Sequence, residues 1–361
     1  MHHPSAFTVC ERSFARRHAV RLLTVSAVAF ALLNGAGAKA DIKDIEAAAR
    51  KEGPMTWYIS FYGQNPADQT AAAFAKAYPG LQIIPIRTTT GAAFQRLQQD
   101  FKNNVPVASV ASLSGVGGYY DILMREQRLA AYTPEAAAKL IPAAKEAIVK
   151  DYIYPIGAAL MVIGYNNQKV KAGDAPKTWK DLADPKWKGK LGLAHPSFSG
   201  FDAAWVVTMN KSVGWGYFEA LGKNQPLVQR STFDTITALN SGERLVGTMP
   251  DTVAKESIGK GNPIGLAYPS DGAVMIMGFT SILKNAPQPN MAKLFTEFLL
   301  GVEHAKVVSG TFHQSMRPEV VTQLDGGKSL KDIKLAPMVP SAEAEKELPK
   351  LIEKWRDTFG Q

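Results

Sequence analysis

Arg87-Thr88-Thr89-Thr90-Gly91 sets a guanidinium and three hydroxyls where a strand-like run gives way to a helix-like one. The free N–H groups at a helix start carry partial positive charge. Arginine adds a planar fork that matches carboxylate or phosphate oxygens. The segment reads as an oxyanion site; the plainer reading is a solvated arginine beside ordinary N-caps. His195-Pro196-Ser197-Phe198-Ser199-Gly200 repeats the pattern. It follows a strand-like run and precedes a helix, so Ser197, Ser199 and the Gly200 amide can face a ligand, or simply form a capping turn. Arg230-Ser231-Thr232 again joins a cation to hydroxyls before a helix. Asp251 and Thr252 follow another strand, where Asp251 either meets a ligand amine or caps a helix. Ser60, Tyr62, Gln64 and Asn65 lie at and beyond the end of the first strand-like run, and Ser112 ends the third with Ser114 just after it. Tyr154 opens a long apolar run. Ser270 and Asp271 precede a second such run, where a turn is the bland alternative. No G-x-S-x-G elbow, P-loop, H-E-x-x-H or dinucleotide fingerprint occurs, so no catalytic residue, cofactor or metal is expected.

The elements that must position these residues alternate. Strand-like Met55–Phe61, 81–86 and 107–112 are separated by helical patterns, a β-α-β-α-β order that implies a mainly parallel sheet covered by helices. Leu191–Ala194, Leu245–Met249 and Ile264–Tyr268 are strands of a second such unit. Two long apolar runs, Tyr154–Tyr165 and Ala273–Leu283, can cross between the units. The expected fold class is α/β, a two-lobed clamshell with two mainly parallel sheets flanked by helices. Residues 41–153 with 272–361 would form lobe 1 and 154–271 lobe 2, with hinges near 152–157 and 268–273. Ligands of open α/β sheets bind beyond the carboxyl ends of strands, which is where the polar segments above fall.

The 41 basic and 32 acidic residues of this 361-residue chain leave a net charge of +9. Five basic residues against Glu11 put +4 of it in the first 40 positions. There a basic stretch precedes apolar Leu22–Leu33 and Ala38-Lys39-Ala40, the layout of a cleaved signal peptide spanning 1–40. This mostly apolar run of twelve residues is too short to span a bilayer, which takes about 20. The lone cysteine, Cys10, leaves with that segment, so no disulfide or cysteine-held metal is expected. The remaining lysines are dispersed, which argues against nucleic acid as a partner.

With these segments in view, the chain resembles the periplasmic solute-binding proteins of ABC transporters, the iron(III)/extracellular solute-binding family with the type II periplasmic-binding-protein fold. The matching residues are Trp57-Tyr58-Ile59-Ser60-Phe61-Tyr62-Gly63-Gln64, Lys177-Thr178-Trp179-Lys180-Asp181-Leu182 and Asp184-Pro185-Lys186-Trp187-Lys188-Gly189-Lys190. His195 to Gly200, Ser241-Gly242-Glu243, Pro269-Ser270-Asp271-Gly272 and Lys284-Asn285-Ala286-Pro287 extend the likeness. The resemblance implies a monomeric exported protein without catalytic activity. It would close on a small ligand and hand it to an ABC-transporter membrane permease. Iron-binding members hold Fe(III) through a His, a carboxylate and two adjacent tyrosines. Here those places carry Asn65, Arg87–Gly91 and Met249-Pro250-Asp251-Thr252. The expected ligand is therefore a small organic oxyanion: a phosphonate, sugar phosphate or carboxylate. The alternatives are a ferric or ferric-complex binder and a transferase-type enzyme on the same fold.

Overall fold

The computed structural model describes residues 41–115, 118–323 and 329–360. The expected signal peptide, 1–40, lies outside them. Helices α1 (Ile42–Ala49), α2 (Gln64–Ala77), α3 (Thr90–Asn103), α4 (Tyr119–Arg125) and α5 (Pro142–Glu146) alternate with strands β1 (Met55–Ile59), β2 (Ile83–Arg87) and β3 (Ala108–Ser114). The long strand β4 (Tyr154–Asn166) follows. Next come β5 (Leu191–Ala194), α6 (Gly200–Val213), α7 (Gly216–Lys223), β6 (Leu227–Gln229) and α8 (Thr232–Ser241). Then β7 (Val246–Pro250), α9 (Asp251–Gly259), β8 (Ile264–Ala267) and the second long strand, β9 (Val274–Ile282), complete the sheet. Helices α10 (Pro289–Leu299), α11 (Val302–Gly310) and α12 (Ser341–Phe359) close the chain. Among the described residues no helix is long and apolar enough to cross a membrane.

The strands run in the order β2-β1-β3-β9-β4-β7-β5-β6, with β8 also on β4. β1 pairs in parallel with β2 and β3, and β5 in parallel with β6 and β7. These are the two parallel units expected from the alternation. They are joined into one sheet by β4 and β9, whose pairings are all antiparallel. Tyr154–Met161 of β4 pairs with β9, and Met161–Tyr165 goes on to pair with β7. One strand thus starts in the first unit and ends in the second. All thirteen residues of β4 are buried, which is why the run reads as continuously apolar.

Apolar stripes hold the helices on. In α10, Met291, Leu294, Phe295 and Phe298 are buried at helical spacing, and Phe295 meets Trp57 edge-on at 5.0 Å. The C-terminal segment departs from the expected division, in which it belonged with lobe 1. Helix α12 instead packs on α6 and α7 of the second unit. Its stripe of Ala344, Leu348, Leu351 and Trp355 is buried. Trp355 has no exposed surface and meets Phe218 and His195 at 5.9 and 6.1 Å. An apolar face on α6 and α7 takes this helix, and sequence order gives no hint of it.

Candidate functional site

The loops beyond β1, β2 and β3 meet the start of α6 at a single point. Ser60 and Thr90 hydroxyls lie 3.0 Å apart, both buried. A Cβ on Gly200 would sit 2.8 Å from Ser114 Cβ and 2.9 Å from Thr90 Oγ1. Only glycine permits so close an approach of the second unit to the first. Two helix N-termini therefore converge here, α3 from one unit and α6 from the other. Thr89, the N-cap of α3, makes no side-chain capping bond, so nothing from the cap residue covers that helix start. Ser114 is 2 % exposed, and its hydroxyl has no hydrogen-bond partner.

Arg87 ends β2, the strand that leads into α3. Its guanidinium lies 4.3 Å from the ring centre of Phe233 on α8, a contact from one unit to the other. Burial lowers its pKa, and nearby Asp234 opposes that shift. Its Nε is buried without an acceptor. Thr88 is anchored through its amide to Ile59 O at 3.1 Å.

Two recesses flank the contact. The first, of about 80 Å3, is lined by Phe61, Asn65, Phe201, Phe233, Thr252 and Glu256, among others. Phe61 and Phe201 stack across it, 5.7 Å apart and 17° from parallel. His313 also borders it, and burial pushes its pKa down to about 3, so this imidazole is neutral. The second recess, of about 440 Å3, is lined by Thr89, Gly91, Ser197, Arg230 and Arg356 among others. Arg230 lies over the Phe198 ring at 4.9 Å.

The remaining expected site residues are engaged elsewhere. Tyr62 is fully buried and donates to Ile156 O at 3.1 Å, a core role. Ser112 accepts from Trp57 Nε1 at 2.8 Å and donates to Thr280 at 2.9 Å. Tyr154 donates to Tyr132 O at 2.8 Å. Gln64 is exposed and bonds Asp68. Ser231 and Asp234 form a capping box at the start of α8. Ser199 caps α6 and donates to Asp202 at 2.7 Å. Asp251 is wholly buried; it accepts from Leu160 N at 3.0 Å and from Tyr268 at 3.2 Å. It pins α9 to β4 and has no face left for a ligand amine. Ser270 N donates to Lys177 O and Asp271 accepts from Trp179 N, which makes this stretch a turn. Among the described residues no three His, Cys, Asp or Glu side chains cluster as metal ligands. The lining by Phe201, Phe233, Glu256 and His313 was not foreseen. The only available signal was that Phe201 follows Gly200 and Phe233 follows Thr232.

Asp202 lies beneath the Ser199–Gly200 turn and bears on its pH response. Burial raises its pKa from 3.8 to about 7, against hydrogen bonds such as that from Ser199. The protonated form is thus favoured in the folded state. That contribution is full below pH 3.8 and is lost as pH rises through about 7. Burial drives Asp251 the same way, to about 6. His304 and His313, held neutral by burial, act oppositely below the ordinary histidine value. The difference between wild type and Asp202→Asn isolates Asp202. The variant is expected to gain on wild type by on the order of a few kcal/mol between pH 4 and pH 8 in urea melts. Parallel stability curves would contradict this.

The family model for bacterial extracellular solute-binding proteins matches residues 117–337. The chain belongs to that family. An uncharacterised Haemophilus influenzae protein is 29 % identical to this solute-binding protein over 252 residues, 65 % of this chain and 70 % of the relative. A Salmonella paratyphi A protein, provisionally named a 2-aminoethylphosphonate-binding periplasmic protein, is 26 % identical over 250 residues, 66 % of this chain and 69 % of the relative. Among solved structures, AfuA from Actinobacillus pleuropneumoniae with fructose-6-phosphate bound superposes at a TM-score of 0.74 with 24 % identity, covering 85 % of this chain and 99 % of that one. Iron-bound HitA from Pseudomonas aeruginosa gives 0.70 with 20 % identity, covering 85 % and 99 %. These likenesses establish for the solute-binding protein the two-lobed fold of periplasmic binding proteins.

Proposed function

We propose that this protein is the periplasmic solute-binding component of an ABC importer, that it captures a small organic oxyanion between its lobes, and that it acts as a monomer without catalytic turnover. The first lobe holds β1–β3 and the second β5–β8, with β4 and β9 as the hinge ribbon. Ligand bonded to both lobes favours the closed form, which then docks on the permease. The observation that carries the reading is the Ser114 hydroxyl, buried and unpartnered where α3 and α6 begin, with Arg87 at the end of the strand that leads into α3. A buried polar group without a partner costs about 1–3 kcal/mol. A phosphonate, phosphate ester or carboxylate would satisfy Ser114, the α3 amides and Arg87 Nε together. The provisional name of the Salmonella relative and the ligand of AfuA belong to the same chemical class. A ferric ion would need oxyanionic side-chain ligands, and the positions matching the family's metal ligands hold Asn65, the Arg87 segment and the wholly engaged Asp251.

The test is isothermal titration of an alkylphosphonate into wild type and Arg87→Ala. The variant is expected to bind more than tenfold more weakly, a loss above about 1.4 kcal/mol. Equal affinities would remove Arg87 from the site.

A further inference from the structure

Phe61 sits where three parts of the molecule meet. It follows β1, in the first lobe. The hinge ribbon beside it has an irregular step. β4 and β9 slip register between Pro155 and Gly157, so Ile156 opposes no residue of β9 and Gly157 pairs with Gly278. A bulge of this kind interrupts the ladder and lets a strand bend. Tyr62 takes up the spare Ile156 carbonyl, donating to it at 3.1 Å. A Cβ on Gly278 would enter the Phe61 ring, and one on Gly157 would stand 3.5 Å from Phe61 Cε1. The ring therefore rests directly on the ribbon's backbone, which glycine alone leaves bare. The same ring stacks on Phe201 of α6, in the second lobe, and both are buried. A phenyl ring offers an oxyanion no hydrogen bond, so the stack acts between the lobes. Hinges absorb rotation at a few residues. Turning at the Gly157–Gly278 step tilts Phe61 against Phe201, and the near-parallel stack is complete at one lobe angle only.

We infer that Phe61 is a positioning residue for ligand capture: seated on the glycine step of the hinge, it latches the lobes through Phe201 and keeps a share of the ligand-free protein closed. This inference rests on the two-lobed solute-binding reading above and deepens it. Ligand then selects a form already present, and its apparent dissociation constant is the intrinsic one divided by the closed share. Loosening the latch weakens binding by the factor by which it lowers that share.

The test measures the closed share without ligand. Cys10, in the expected signal peptide, is the chain's single cysteine. Lys102→Cys and Lys180→Cys, at exposed positions in the first and second lobes, would thus be the only sites for spin labels in the exported protein. Double electron–electron resonance on ligand-free wild type should show a minor shorter distance, the one that saturation with an alkylphosphonate makes dominant. Phe201→Leu keeps apolar bulk and ends the stack. It should cut the minor component about fivefold and weaken the alkylphosphonate by the same factor. The saturated distance should not move. Phe61→Leu should match it, and the double variant should lose no more than either; if one leucine variant fails to fold, the other carries the test. Ligand-free distances unchanged by the leucine variants would overturn the inference whatever happens to affinity, because the rings would then only line a recess or support the fold. A ligand-free wild type lacking the shorter distance would overturn it too. If no oxyanion binds, the oxyanion reading falls, and the latch still stands or falls on whether Phe201→Leu depletes the shorter of two ligand-free distances.

Discussion

Gly200→Val is expected to leave the protein folded and to weaken an anionic ligand by about a hundredfold or more, roughly 2.7 kcal/mol. The reason is the contact at the start of α6. A single Cβ there would come within 2.8 Å of Ser114 Cβ and 2.9 Å of Thr90 Oγ1. Ser114 Cβ is fixed by its own backbone, and Thr90 Oγ1 can turn away only by giving up its bond to Ser60. The two branches of valine enlarge the clash. The strain falls between lobes, so the open form relieves it and the closed form cannot. Gly200 is the first residue of α6 and its φ is not left-handed, so valine costs little in the open state. The urea midpoint of the ligand-free protein should shift by no more than about 1 kcal/mol. Small-angle scattering should show no contraction on ligand addition. A valine variant that binds and contracts like wild type would place the ligand elsewhere.

Trp355→Ala is expected to be the most destabilising single change considered, at about 3–5 kcal/mol. Trp355 is fully enclosed, with Phe359 at 4.3 Å as well as Phe218 and His195 around it. Its removal leaves a cavity the size of an indole between α12 and the α6–α7 face. The loss should also reach the site, because His195 Nδ1 accepts from Ser197 N at 3.0 Å and its ring packs on Trp355. Urea unfolding read by circular dichroism gives the number. A loss below about 1 kcal/mol would show α12 to be a dispensable appendage.

Much of the fold was legible because local pattern determined it. The β-branched and aromatic run of β1 and the helical stripe of α10 are fixed by burial period alone. The two long crossings were visible because β4 is buried on both faces. The seat of α12 was not visible, since Ala344, Leu348, Leu351 and Trp355 declare an apolar face but not its partner. The site divided along the same line. Arg87, Thr90, Ser114 and Gly200 lie at strand ends and helix starts, so a rule about open sheets reaches them. Asp251 and Tyr62 lie in equally promising places, yet neighbours remote in sequence, Leu160, Tyr268 and Ile156, take their polar atoms. Phe233 entered the site from the first turn of α8 and Glu256 from the interior of α9, where little in the local sequence separates a ligand-facing residue from a solvated one.

The most direct test of the central claim is a thermal-shift screen of the purified protein. The panel would hold phosphonates, phosphate esters, carboxylates and Fe(III) with bicarbonate. At a hundred times its dissociation constant a ligand stabilises by about 2.7 kcal/mol. The account predicts a rise in melting temperature of that origin with at least one organic oxyanion and none with iron. A rise with Fe(III) and bicarbonate alone, accompanied by a tyrosinate absorbance band, would contradict it.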